Sequence, residues 1–390
     1  MSATVRVGIS TCPNDTFLFH AILERRVDLR GLSFEVELAD VEELNRRLFA
    51  GELDVAKASF HAGLLLSREL GVLPTGSALG FGVGPVLLAR AGGPLPDVAT
   101  ATVLCPGEHT TAHLLYRLFH GGRARQAVFS EVLDALAEGR AELGVCIHEG
   151  RFTFRERGLR LVEDLGERWE RETGVALPLG GLLARHALGP ERLRAVQAVL
   201  CDSLAYARSH RAEALATMRR HAQEHSDDVL WAHVELYVNE RTTDLGRPGR
   251  RALAELARRA RAAGLVPEGQ PALRVVGDWR LYHLAPREDW AAFLARGGEW
   301  RPPSLDTAGF VHLSFAEQLE GTLELHFGRS TELELVEVAE PGVRADLALE
   351  PARGGARFPH LRRALRVADV VRTWPVVRRG GAWRLPDLDD

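Results

Sequence analysis

Twice in this chain a short apolar strand runs through a polar turn straight into a helix, and a chain that repeats this step is committed to an α/β fold. The first junction is Cys12-Pro13-Asn14-Asp15-Thr16, between a strand at 5–9 and a helix through 17–23; the second is Pro106-Gly107-Glu108-His109-Thr110-Thr111, between a strand at 102–105 and a helix at 112–119. Pro, Asn, Asp and Thr are turn and N-cap residues, so they start a helix. The same N-terminal N–H groups, opening from the carboxyl end of a strand, can hold the polar end of a ligand. Around these junctions the alternation continues, with strands at 33–38 and 53–57, an amphipathic helix at 41–48, and a strand at 86–90 leading out of the first half. After the restart at 102 come a strand at 127–129, a helix at 131–138 and an apolar run that ends at His148. A strand at 179–184 crosses back, and helices at 191–209, 211–222, 226–238 and 249–263 complete the region. This spacing predicts mostly parallel sheets in two small α/β lobes, about 1–92 with 188–265 and about 93–187.

Composition excludes several classes of partner. With 390 residues and a net charge of −4, nothing favours nucleic acid or an anionic membrane surface, and no run is long and apolar enough to span a bilayer. Met1 to Val7 goes directly into an alternating strand, which predicts a cytoplasmic protein. Cys12, Cys105, Cys146 and Cys201 show neither disulfide density nor metal-ligand spacing, so no metal is expected. Gly80-Phe81-Gly82-Val83-Gly84 lacks the strand before and helix after that a dinucleotide fingerprint needs, and no cofactor is expected. A small molecule remains as the substrate class, and a homo-oligomer is left open.

The stretch Gly144-Val145-Cys146-Ile147-His148-Glu149-Gly150-Arg151-Phe152-Thr153 delivers a titratable pair to the end of a buried strand. Imidazole titrates near pH 6.5, so His148 is the candidate general base, with Glu149 beside it to orient or tune it. A hydrogen-bonded structural histidine is the alternative. Lys57 is the only lysine among 49 basic residues, the rest being arginine. A compact ammonium that a planar guanidinium cannot replace would explain its survival in Val55-Ala56-Lys57-Ala58-Ser59, and so would chance.

Two α/β lobes joined by two crossings resemble the bilobal periplasmic-binding-protein fold, with ligand in the cleft. The set Cys12-Pro13-Asn14-Asp15-Thr16-Phe17, Asp40-Val41-Glu42-Glu43-Leu44-Asn45, Lys57-Ala58-Ser59, Gly82-Val83-Gly84-Pro85, Pro106 to Ala112, His148 to Thr153 and Trp231-Ala232-His233-Val234 resembles the 1,4-dihydroxy-6-naphthoate synthases of the futalosine route to menaquinone. The resemblance spans about 5–265. It implies a catalytic base at His148 and ligand contacts at Asn45, Ser59 and Thr111, with Asn14, Lys57, Thr110 and Glu149 completing the candidate set. It also implies cyclic dehypoxanthinylfutalosine as substrate and a carbon–carbon lyase reaction. Gly150 departs from members that carry a polar residue there, which leaves the base in place. Chorismate dehydratase of the same route, and a solute-binding protein on the same scaffold, are the rivals; the His148 and Cys12 motifs and the missing leader oppose them.

Beyond a Pro/Gly-containing linker at 266–273, a region over 274–390 carries Trp279, Trp290, Trp300, Trp374 and Trp383, five of the seven tryptophans, and reads as a separate α+β core. Tyr282-His283, Gly309 to Ser314 and Phe358-Pro359-His360-Leu361 make it resemble a small bacterial domain of unknown function that has been likened to ADP-ribosyltransferases. His283, His312, Ser314 and Glu350 are its candidate pocket residues, with structural histidines as the alternative.

Overall fold

The computed structural model describes residues 3–148, 150–222, 226–277, 279–328, 330–352, 356–380, 382–386 and 388. Two compact units emerge, residues 1–277 and 278–390. In the first, β1 (Ala3–Ile9) leads to α1 (Pro13–Leu23), β2 (Leu32–Leu38) to α2 (Val41–Phe49) and β3 (Val55–Ser59) to α3 (Phe60–Leu65), followed by β4 (Leu70–Val72) and β5 (Ala78–Gly80). The second lobe contains β6 (Val86–Arg90), β7 (Val103–Cys105), α4 (Thr111–His120), β8 (Ala124–Gln126), α5 (Phe129–Ala137), β9 (Leu143–Cys146), α6 (Gly150–Thr153) and β10 (Leu159–Asp164). From there α7 (Leu165–Thr173) leads to β11 (Leu177–Arg185), and α8 (Gly189–Ser209), α9 (Arg211–His221), α10 (Asp227–Tyr237), α11 (Glu240–Thr243) and α12 (Gly246–Ala262) finish the unit.

The first sheet has the order β2-β1-β3-β11-β4, with β5 also on β11; the second is β10-β6-β9-β7-β8. Both are mixed rather than mostly parallel. The pairs β1–β2, β1–β3, β7–β8 and β7–β9 are parallel, but β11 enters the first sheet antiparallel to β3, and β6 enters the second antiparallel to β9. A chain that leaves a lobe and returns arrives running the other way. This also moves the lobe limits: β6 belongs to the second sheet and β11 to the first, so the crossings fall at 81–85 and between β10 and β11, not near 92 and 187. The expected strand at 127–129 is replaced by β8 one turn earlier, because Val128 is already the N-cap of α5.

Alternation along β1 buries Val5, Val7 and Ile9 in one core with Phe17 and Leu18 of α1 and Val196, Val199 and Leu200 of α8. Each fully buried side chain of this size contributes roughly 1.5–3 kcal/mol, and together they fix the carboxyl end of β1 and the start of α1. The two crossings meet backbone to backbone. A Cβ on Gly84 would lie 2.2 Å from Gly166 Cα, and one on Gly166 would lie 2.5 Å from Gly84 Cα. Arg151 braces the same point, donating to Gly84 O at 2.7 Å and pairing with Asp164, which caps α7.

Residues 266–273 do not form a free spacer. Val266 and Leu273 are buried, and Val72 N donates to Arg274 O while Val276 N donates to Val72 O, both at 2.8 Å. The first unit therefore runs to 277, because unpaired edge groups of β4 take the chain up as one more extended segment. The second unit is strand-rich: Leu281–Pro286, Glu332–Val338, Val370–Arg379 and Ala382–Arg384 form one antiparallel sheet, and Val311–His312, Arg357–Leu361 and Leu347–Pro351 another. Trp290, Phe293 and Trp300 lie with Leu281 and Val336 in its core.

Candidate active site

Between the lobes of the first unit lies a cavity lined by residues of both, among them Lys57, Ser59, Thr111, His148 and His233. The first junction supplies its charged wall. Asp15, in the first turn of α1, accepts from Ser10 Oγ at 2.5 Å and from Asn14 Nδ2 at 2.8 Å, and Lys57 Nζ meets it at 2.6 Å. Lys57 also donates to Gly76 O at 3.1 Å. Both members of the ion pair are buried. A buried pair persists only when further hydrogen bonds satisfy it, and these do. The enclosed ammonium, fitted between a carboxylate and a carbonyl, accounts for the chain's one lysine.

Ser59, at the end of β3, lines the cavity. Asn45 does not. Its side chain is fully buried, accepting from Ser59 N at 3.0 Å and donating to Glu42 at 3.0 Å, so it positions Ser59 from behind. Thr110 caps α4 by accepting from His113 N, and donates to Gly107 O. Thr111 donates to Leu179 O of β11 at 2.5 Å and accepts from His61 N at 3.3 Å, tying the two lobes together at the cavity wall. Both threonines line the cavity, but their hydroxyl protons are already engaged.

His148 follows β9 and has φ +55, a left-handed conformation that few non-glycine residues adopt and that costs of order 1–3 kcal/mol. Its Nδ1 lies 3.3 Å from Cys12 Sγ, and Phe129 stands edge-on to its ring at 5.0 Å. Glu149 lies outside the described residues. At Gly150 a Cβ would fall 2.3 Å from Cys146 Sγ, so packing under the loop explains why no side chain stands there.

His233 completes the wall from α10. It is 2% exposed, neither ring nitrogen has a hydrogen-bond partner, and burial, then the nearby His148 and Lys57, pushes it down to about 3, leaving it neutral. Cys12, Asp15 and His233 were absent from the candidate set. Cys12 and Asp15 read as turn chemistry, and His233 sits in a helix where only its place in the Trp231-Ala232-His233-Val234 motif marks it. A second contact across the lobes pairs His109 Nδ1 with Glu42 Oε1 at 2.8 Å, and His109 N also donates to that carboxylate. The Glu42 partnership raises the His109 imidazole; burial pushes the Glu42 carboxyl up, but bonds from His109 and Asn45 outweigh this and hold it below its ordinary value.

In the second unit the four candidates separate. His283 Nδ1 donates to His312 O at 2.9 Å and its Nε2 accepts from Trp300 Nε1 at 2.9 Å, so the ring is committed to the fold. Ser314 pairs with Thr322 at 3.2 Å. Glu350 and His312 instead gather around His360, which meets the Glu350 carboxylate at 2.6 Å, stacks on Phe310 at 3.7 Å and stands edge-on to His312 at 5.3 Å. The described residues of this unit form no group of three metal-type ligands.

Two lobes around a cleft define a periplasmic-binding-protein-like architecture, and solved structures agree. The chain is similar to AF1704 from Archaeoglobus fulgidus, with TM-score 0.64, 29% identity, and 67% of this chain and 98% of that one covered. In fold alone it is similar to the alkanesulfonate-binding protein SsuA from Xanthomonas axonopodis pv. citri, at TM-score 0.53, 15% identity and coverage of 70% and 96%. Residues 5–262 match the family described as menaquinone biosynthesis, and 284–373 match one described as a protein of unknown function (DUF952). Over 269 residues, 68% of this chain and 98% of its relative, it is 45% identical to 1,4-dihydroxy-6-naphthoate synthase from Thermus thermophilus. The chain belongs to the 1,4-dihydroxy-6-naphthoate synthase family of menaquinone-biosynthesis enzymes, with a second domain fused behind it.

Proposed function

We propose that the first unit is a carbon–carbon lyase that converts cyclic dehypoxanthinylfutalosine to 1,4-dihydroxy-6-naphthoate, with His148 as general base. The observation that carries this reading is the placement of His148, a residue in a left-handed backbone conformation held at the wall of the inter-lobe cavity. Removal of a proton starts loss of the sugar-derived carbons, and aromatisation of the bicycle drives the reaction forward. Oxyanions that develop on the way meet the Ser59 hydroxyl and the donors around the Lys57–Asp15 pair. Asn45 positions Ser59, and Thr110 and Thr111 shape the wall. We place the reaction in the cytoplasm, and no described helix is long and apolar enough to cross a membrane. For the second unit we propose a binding module, on the grouping of Glu350, His360 and His312. Incubating the purified full chain with cyclic dehypoxanthinylfutalosine, and following the naphthoate by absorbance and mass, tests the main reading. Consumption of that substrate into any other product, or none at all, overturns it.

A further inference from the structure

We propose that Cys12, His148 and His233 form a binding site for a soft divalent cation, with zinc the best match, at the edge of the cavity that His148 and His233 line. The three come from separate elements: Cys12 just before α1, His148 after β9, and His233 in the middle of α10. With such separations no ligand spacing is readable along the chain, and only the fold assembles the set. One ligand atom from each residue lies within 4.8 Å of the other two, and Cys12 Sγ stands 3.3 Å from His148 Nδ1. Zinc bonds of about 2.3 Å to sulfur and 2.0–2.1 Å to nitrogen in a tetrahedron put ligand atoms roughly 3.3–3.6 Å apart. The Cys12–His148 pair is close to that separation, and side-chain rotation of about an ångström brings in His233.

His233 supplies the independent sign that a ligand belongs here. A 2% exposed imidazole with no hydrogen bond at either nitrogen forfeits the interactions water would give it, and a metal bond restores one. Thiolate with two imidazoles is a donor set suited to zinc and leaves a fourth position for water or a substrate oxygen. Lys57, on the wall of the same cavity, is paired with Asp15 at 2.6 Å. Binding exchanges the thiol proton for the metal: the S–H bond breaks, a sulfur–zinc bond forms and one proton goes to solvent, with no change of oxidation state. Because zinc and a substrate proton would compete for the same imidazole, metal binding and turnover exclude each other. That corollary rests on the reading of His148 as base, whereas the binding itself does not.

The test is equilibrium dialysis of the full chain against zinc and, separately, against cobalt(II), whose thiolate complexes show a sulfur-to-metal charge-transfer band in the near ultraviolet. One zinc per chain and a cobalt band are expected. Cys12→Ser, nearly isosteric, should abolish the band, and His233→Gln should weaken zinc binding at least about tenfold, since even the loss of a ligand's supporting partner costs 10–100-fold. If His233→Gln lowers the thermal transition, the Cys12→Ser measurement decides alone. Absence of stoichiometric binding, or equal affinity in Cys12→Ser, overturns the site. A chain that binds zinc as described yet makes no naphthoate overturns the catalytic reading and leaves the metal site standing.

Discussion

Two histidines, one in each unit, are equally hidden from water and put to opposite uses. His283 and His233 are both buried, and burial pushes both down, His283 to about 4 and His233 to about 3. His283 spends both nitrogens on Trp300 and the His312 carbonyl; His233 spends neither and faces a cavity. A lowered pKa therefore does not distinguish a site from a core. What distinguishes them is hydrogen-bonding capacity left unused where a ligand can reach it.

The strongest way to break this contrast is at the base. His148→Asn should lower kcat for naphthoate formation by about 10² to 10⁴, while the unfolding transition holds, because Asn tolerates the left-handed backbone. A variant retaining more than half the wild-type kcat would remove His148 from the chemistry. Lys57→Met leaves the Asp15 carboxylate buried without its cation, and should destabilise the first unit by about 3–5 kcal/mol in denaturant titration while the second unit's transition stays put. Concerted movement of both transitions would refute separate cores.

In the second unit, His283→Gln should cost about 1–3 kcal/mol through the Trp300 and His312 bonds and leave kcat unchanged. A loss of activity there would mean that the paired histidine is functional after all. The Glu42–His109 contact gives a smaller, pH-dependent effect. Glu42, held low in the fold, contributes above the ordinary carboxylate range and loses that contribution as pH falls through its folded value. His109, held high, contributes fully below about pH 6.5 and loses it as pH rises through its folded value. The stability lost in His109→Gln, on the order of 1 kcal/mol, should thus be largest near pH 5–6.5 and shrink above it; a difference that is flat from pH 5 to 9 would show that the pair is not ionic. Smallest of all is truncation. A chain ending at Gly277 should match the full chain in kcat and KM, whereas one ending at Ala272 loses the bonds of 274–276 to Val72 and should melt earlier. Identical melting of the two would show that the returning segment contributes nothing.

The junctions at Cys12 and Pro106 were legible because turn and capping residues act locally, through the backbone groups next to them. His148 was legible for a related reason, an apolar run ending abruptly in a titratable residue. Mixed strand direction was not, since alternation fixes which face a side chain takes and is silent on which way the neighbouring strand runs. Asn45 was carried to the cavity wall by its motif, but stands behind Ser59, a distinction that depends on side-chain direction. Cys12 and His233 are brought together only by the packing of α1, β9 and α10, and no pattern along the chain encodes that.

At the crossing of the two lobes, Gly84 and Gly166 touch through their backbones. For anyone redirecting the cleft toward other molecules, that contact works like the pin of a pair of scissors. Either blade can be reground: Ser59 and Thr111 stand on opposite walls and can be exchanged separately. A single methyl at the pin pries the blades apart, and a second methyl on the opposing glycine meets the first rather than making room for it. The enzyme's capacity to acquire new specificity therefore resides in its walls, at a distance from the point where the two crossings touch.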